Sequence, residues 1–172
     1  MAVASMEILK QDIESIVIGM GEVAVSAVPS AVLTCIGLGS CIAVCAYDYV
    51  AKIGGMVHVV LPEHRGDNPN DFGKFADTGV PLMLAKVIKS GGDKKHFIVK
   101  AAGGAQMTVS PGSKDTFRTG ERNLAQVLAT LEKLGIGLVA SDVGGSLGRT
   151  IKLHVGTGKV TVKTVDGVTR EI

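Results

Sequence analysis

Aromatic residues are almost missing from this chain: it has no tryptophan, two tyrosines and four phenylalanines among 172 residues. Surfaces that stack single-stranded bases are built from such rings. An excess of charge of one sign is missing too. Eighteen Lys and Arg stand against 16 Asp and Glu, a net charge of +2, with no long basic run. A footprint for phosphate backbones needs clustered basic residues, so composition argues against a nucleic-acid partner. Cysteine is scarce and odd in number: Cys35, Cys41 and Cys45. That is not the even framework of a disulfide-stapled secreted domain. It also lacks the paired, short-spaced ligands of structural zinc, and neither a metal nor a cofactor is expected. The first residues, MAVASMEILKQDIESI, carry acids early and no apolar stretch of signal-peptide length. A reducing, cytoplasmic setting is the expectation.

What is present is a core. Apolar residues make up 46% of the chain, enough for a folded domain of this length and too much for disorder. One domain over 16–172, after an N-terminal extension over 1–15, is expected. Val23 to Tyr47 carries no charge at all, and a segment of that length could cross a bilayer. Pro29, Gly37 and Gly39 interrupt it, however, and its apolar residues come in short β-branched bursts. Buried strands explain it better than a membrane helix, so no membrane insertion is expected.

The pattern predicts strands over Ile13–Ile18, Val23–Val28, Ala31–Ile36, Ile42–Tyr47, Gly55–Leu61, Phe97–Ala102, Gly137–Val143, Thr150–Val155 and Lys159–Val165. Two helices are predicted. The first begins near Asp77 as N-cap and carries Val80, Met83, Leu84, Val87 and Ile88 on one face. The second carries Leu124, Val127, Leu128, Leu131 and Leu134. Residues 63–75 and a second stretch ending near Thr119 read as polar surface loops. Strands cluster at both ends and do not alternate with helices. This implies an α+β fold, a single-domain sandwich with a mixed, largely antiparallel sheet and two main helices.

Cys35 and Cys45 lie in apolar strand-like sequence and read as core residues. Cys41 ends the turn Gly37-Leu38-Gly39-Ser40, where backbone N–H groups can converge on a thiolate or an oxyanion. On this chemistry alone Cys41 is either packing or a nucleophile. Of the four histidines, His64, His96 and His154 read as surface or structural. A hairpin joining the fourth and fifth strands through Val50–Lys52 sets residue 41 opposite residue 60 or 61. His58 then stands on a diagonal at roughly 7–8 Å, on the face of Met56 and Val60. A thiol with an imidazole in reach is the minimum equipment for nucleophilic acyl transfer. Gly144 to Arg149 reads as a strand-to-strand turn anchored by Arg149, because a strand and not a helix follows it.

Seven stretches in order, IGMGEVAVS, LGSCIAVCAYD, KIGGMVHVVLP, KFADTGVPLM, KAAGGAQM, TGERN and SDVGGSLGRTIKLHVGTGKV, give the chain a resemblance to the CheD family of chemoreceptor glutamine deamidases. The resemblance runs from about Ile16 to Lys163. It implies a sandwich related to the cytotoxic necrotizing factor deamidases. It also implies deamidation of glutamines on methyl-accepting chemoreceptor cytoplasmic domains, and the phosphatase CheC as a second partner; a monomer is expected. It maps the family cysteine onto Cys41 and the family histidine onto His58; in the mechanism this suggests, the backbone N–H groups of Ser40 and Cys41 are expected to face the oxyanion. The family's third catalytic member is a threonine six residues before the cysteine, where this chain has Cys35. Thr34, one residue earlier, takes that role, or a backbone carbonyl does. A receptor methylesterase-like hydrolase and a catalytically weak adaptor for receptors or CheC remain the alternatives.

Overall fold

The computed structural model describes residues 13–106 and 118–172. The 1–15 extension falls largely outside them, as does most of the second polar loop. Among the described residues, ten strands form two five-stranded sheets. The outer sheet has the order β1 (Glu14–Val17), β3 (Ala31–Leu38), β8 (Arg149–His154), β9 (Lys159–Thr164) and β10 (Thr169–Glu171). The central sheet has the order β2 (Val23–Ser26), β5 (Ile53–Val59), β4 (Ile42–Asp48), β6 (Phe97–Gly103) and β7 (Leu138–Val143). β1–β3 and β6–β7 are parallel. All other pairs are antiparallel. Helices α1 (Ala76–Lys89) and α2 (Thr119–Lys133) cover one face of the central sheet. The α+β sandwich expected from the sequence is therefore built with two sheets where the pattern alone indicated one.

The charge-free run of the sequence has a direct structural cause. Alternate residues of a strand point to opposite faces. In β4, Ile42, Val44 and Ala46 enter the core under the helices with Val80, Met83, Val87, Val127 and Leu131. Ala43, Cys45 and Tyr47 enter the core between the sheets with Leu33, Cys35, Ile151 and Leu153. Every residue of β4 is buried, so a charge would be stranded on either face. Strand β5 is approached closely on both sides: a Cβ at Gly55 would lie 2.5 Å from Val87 Cγ2, and one at Gly54 would lie 2.9 Å from Leu153 Cδ2.

The start of α1 differs from expectation. Phe75, with no side-chain cap, is the N-cap residue. The first free N–H groups are taken up by backbone carbonyls, Ala76 N–H by Leu61 and Asp77 N–H by Pro62. Tertiary pairing of Leu61 with Phe75 thus replaces the cap, and the Asp77 carboxylate accepts from His64 N–H at 2.9 Å instead. The short β10 was not visible in the pattern. Its three residues are exposed and carry no buried face to reveal them.

Asp48 closes the far end of β4. Its carboxylate is buried and accepts from Val50 and Ala51 N–H at 2.8 Å and from Asp93 N–H at 2.7 Å. It thereby ties the β4–β5 turn to the chain entering β6. Burial works to raise its pKa, yet these donors together with His96 hold it below the ordinary 3.8. A depressed folded value means that the carboxylate's stabilisation is present above 3.8 and is lost as the pH falls through the folded value. Asp48→Ala is expected to cost about 3 kcal/mol, because it strands buried amide donors. Urea unfolding checks this at neutral pH, and the gap between variant and parent is expected to narrow in acid.

Candidate active site

One end of the sandwich is made almost entirely of glycine-rich crossings. Between β1 and β2 the chain passes from the outer to the central sheet through Gly19–Glu22. Between β3 and β4 it does so again through Gly39–Cys41, and between β7 and β8 it returns through Gly144–Gly148. These crossings are sewn together by backbone bonds. Gly104 N–H donates to Cys41 O at 2.8 Å, Ala105 N–H to Gly39 O at 2.7 Å, Gln106 N–H to Gly145 O at 2.8 Å and Gly144 N–H to Gly103 O at 3.0 Å. Gly103 has φ +120°, and a Cβ there would overlap the Cys41 carbonyl oxygen. A side chain at 103 would therefore displace the turn that carries the thiol. Arg149, buried, binds this end from below: it donates to Asp142 Oδ1 at 2.5 Å, to Asp142 O and to the carbonyls of Gly144 and Leu147.

The β4–β5 register is Ile42↔Val59, Ala43↔His58 and Cys45↔Met56. Continued by one residue it sets Cys41 opposite Val60, with His58 on the diagonal, at roughly 7–8 Å between backbones. Cys41 and His58 share the face directed at the outer sheet, the face of Ala43, Cys45 and Met56. His58 is 5% exposed, and its Nδ1 lies 3.2 Å from Ile18 O. A carbonyl can only accept, so the neutral ring carries its proton on Nδ1 and leaves the Nε2 lone pair free to act as a base. The ring's backbone is clamped as well: Gly21 N–H donates to His58 O at 2.8 Å and His58 N–H to Glu22 O at 3.1 Å. Gly21 sits at φ +77°, and Glu22 Oε2 accepts from Gly19 N–H at 2.7 Å. The IGMGE stretch is thus a turn folded around His58.

The three thiols differ in setting. Cys41 is half-buried, while Cys35 and Cys45 are buried and free of disulfides. Burial raises the Cys41 pKa above 9.0, with its own backbone N–H acting in the opposite direction. Cys45 is pushed up to about 12 by burial, and Cys35 further still, again chiefly by burial. No group of three or more His, Cys, Asp or Glu side chains among the described residues could hold a metal ion.

Thr34 is not brought to this pair. It and Cys35 are consecutive on β3, and Cys35 occupies the inner face, its Sγ 3.5 Å from Met56 Sδ. Thr34 consequently turns to the opposite face of the outer sheet. There it lines a cavity of about 410 Å³ with Ile36, Thr150, Lys152 and Lys163. Its hydroxyl has no partner among the described residues. A slip of one residue would reverse every side chain of β3, which the buried Leu33 and Cys35 forbid. Thr34 contributes through its main chain instead: its carbonyl accepts from Ile18 N–H at 2.9 Å and so steadies the residue whose own carbonyl holds His58. The other histidines lie apart from the pair. His64 packs edge-on against Phe72 and Phe75, His96 lies 3.8 Å from Asp48, and His154 sits on β8.

Two further groups at this end of the sandwich were not marked by the sequence. Ile18 acts through a main-chain oxygen, which no side-chain pattern announces. Asn123, at the end of TGERN, is fully buried on α2 and donates to Ser40 O at 3.0 Å and Val60 O at 2.9 Å. A polar residue on the core side of the amphipathic α2 was the available signal.

A family model described as CheD chemotactic sensory transduction matches residues 60–164. Three curated relatives carry the name "Probable chemoreceptor glutamine deamidase CheD". One, from Desulfitobacterium hafniense (strain DSM 10664 / DCB-2), is 42% identical over 152 residues, covering 87% of this chain and 92% of the relative. Another, from Symbiobacterium thermophilum, is 45% identical over 150 residues, 86% of this chain and 91% of its own. The third, from Pyrococcus abyssi, is 44% identical over 155 residues, 87% of this chain and 91% of its own. Among solved structures, a Neisseria meningitidis protein of the DUF152 family aligns over 72% of this chain and 52% of its own, at TM-score 0.41 and 11% identity, too loose a superposition to carry an argument.

The thiol settings give a direct test. Iodoacetamide is expected to modify Cys41 alone in the native protein, as mapped by peptide mass spectrometry. In His58→Ala the Cys41 thiol has no base, so its modification rate is expected to rise only as the pH passes above 9.0. In the parent the reaction is expected to be faster at neutral pH. Equal rates at neutral pH would show that the imidazole does not serve the thiol.

Proposed function

The chain belongs to the CheD family, and on that premise we propose that it deamidates glutamine side chains of chemoreceptors, with Cys41 as nucleophile and His58 as its base. One observation carries the residue assignment: the ladder pairs His58 with Ala43, two residues along the same face from the half-buried Cys41 thiol, and a ring nitrogen is already held by the Ile18 carbonyl. Fixing that nitrogen is the task of a third catalytic member. In this reading the Ile18 carbonyl performs it, and Thr34 is not part of the machinery.

The chemistry follows from these positions. His58 Nε2 takes the Cys41 proton as the sulfur attacks the glutamine side-chain carbonyl carbon. The carbonyl oxygen gains the electron pair and is met by the backbone N–H groups of Ser40 and Cys41. As the tetrahedral species collapses, the C–N bond breaks and His58 returns its proton to the departing ammonia. Water then loses a proton to His58 and attacks the thioester. The C–S bond breaks, the thiol is restored and glutamate remains. None of these steps calls for a metal or a cofactor.

Beyond Val60 the chain opens into a cavity of about 510 Å³ lined by Leu61, His64, Arg65, Phe75, Thr119 and Arg122 among others. The start of the lining at Leu61, one residue past Val60, supports this cavity and the 63–75 loop as the place where a helical receptor domain docks. The same reading takes the protein as a cytoplasmic monomer, and takes CheC, where present, as a competitor for that surface. No helix among the described residues is long and apolar enough to cross a membrane.

Incubation with a purified receptor cytoplasmic domain, followed by mass spectrometry of its glutamine peptides, tests the proposal. The parent is expected to convert amide to acid, and folded Cys41→Ala and His58→Ala are expected to be inactive. Thr34→Val is expected to retain the parent rate. Loss of methyl esters without amide conversion would instead identify an esterase, and a Thr34→Val enzyme as slow as His58→Ala would return Thr34 to the site.

A further inference from the structure

We propose that Asn123 is a positioning residue for this reaction: its carboxamide holds open the strand pair at Cys41 and keeps the Ser40–Cys41 main chain aimed at the substrate. The inference rests on the reading of Cys41 as nucleophile and extends it to a residue on another element.

The β4–β5 ladder runs from Asp48↔Ile53 to Ile42↔Val59 and stops there. Continued one step it would reach Cys41 and Val60. At that step β5 leaves β4, and Val60 and Leu61 N–H both donate to Lys74 O, at 2.8 and 3.1 Å. Asn123 fills the place so opened. Its Nδ2 bridges Ser40 O and Val60 O at 3.0 and 2.9 Å, one acceptor on the residue before the thiol and the other on the residue opposite it. Both neighbours are carbonyl oxygens, so the NH2 group and not the amide oxygen must face them. The Oδ1 atom is buried without a partner among the described residues.

The helix is set to deliver this side chain. Gly120, one turn earlier on α2, packs directly on Gly104, where a Cβ would overlap the Gly104 carbonyl oxygen. Gly104 N–H in turn binds Cys41 O. Cys41 is thus gripped on its own carbonyl by Gly104 and on the preceding carbonyl by Asn123.

The test compares Asn123→Ala and the near-isosteric Asn123→Leu with the parent, using the receptor cytoplasmic domain as substrate. Both variants are expected to lower kcat about a hundred-fold, the scale of a misplacement of about 1 Å at the reacting centre. KM for the receptor and the iodoacetamide reactivity of Cys41 are expected to stay close to the parent's, because receptor docking, thiol and imidazole are intact and alkylation develops no oxyanion. A kcat per folded protein equal to the parent's would overturn the proposal. So would a parallel fall in alkylation and kcat, which marks general disorder of the site, or failure of both variants to fold, which assigns Asn123 to stability alone. Retained deamidation in Cys41→Ala would instead remove the underlying reading, and it is distinguishable because it leaves the Asn123 variants without a thiol-dependent step to impair.

Discussion

The site depends on one constraint, the antiparallel register of β4 against β5. Ala43 must face His58 for Cys41 and His58 to fall on one diagonal of one face. A shift by a single residue would place one of them under the helices and the other between the sheets. The register is fixed because β4 is buried on both faces and its two sets of side chains are not interchangeable. Ile42 and Val44 fill the helical core, whereas Ala43 and Cys45 leave room for the outer sheet. Packing energy spread over the whole strand therefore secures the geometry of two side chains at its end.

The glycine-rich end of the sandwich works by a different principle. Three crossings between sheets meet where main chain must approach main chain. Gly103 against the Cys41 carbonyl and Gly120 against Gly104 are contacts that a side chain would separate. The result is a site built chiefly from backbone: the carbonyl of Ile18 for the imidazole, the amides of Gly104 and Ala105 for the turn, and the amides of Ser40 and Cys41 for the proposed oxyanion. Backbone donors held by flanking strands need little reorganisation when charge develops.

Much of this was legible beforehand for identifiable reasons. Strand positions followed from β-branched bursts between glycines and prolines, and the hairpin placing Cys41 near residue 60 followed from counting across a short turn. The helix faces were legible from Val80, Met83, Leu84 and Val87, although Ile88 and Leu128 are substantially exposed. The second sheet was not legible, since alternation gives the face of a strand and not the sheet to which it belongs. Nor was the N-terminus of α1, where pairing of Leu61 with Phe75 took the place of Asp77 as cap. Thr34 was a natural candidate by distance along the chain, but strand alternation sends it outward while Cys35 turns in.

By itself the sequence determined the residue types and their local setting: a cysteine closing a glycine turn, a histidine in a buried strand, and an apolar content that demands a core. These are properties of near neighbours in the chain, and propensity and periodicity report them. Only the tertiary structure decided which groups surround the proposed site. The Ile18 carbonyl reaches His58 because β1 pairs with β3 in one sheet while β2 pairs with β5 in the other. Asn123 reaches Ser40 and Val60 because α2 crosses the central sheet at the end of its ladder. Every chain has a carbonyl at each position and many have a buried asparagine, so identity alone cannot mark them. Their roles come from long-range packing, which brings residues 18, 40, 58 and 123 to one place.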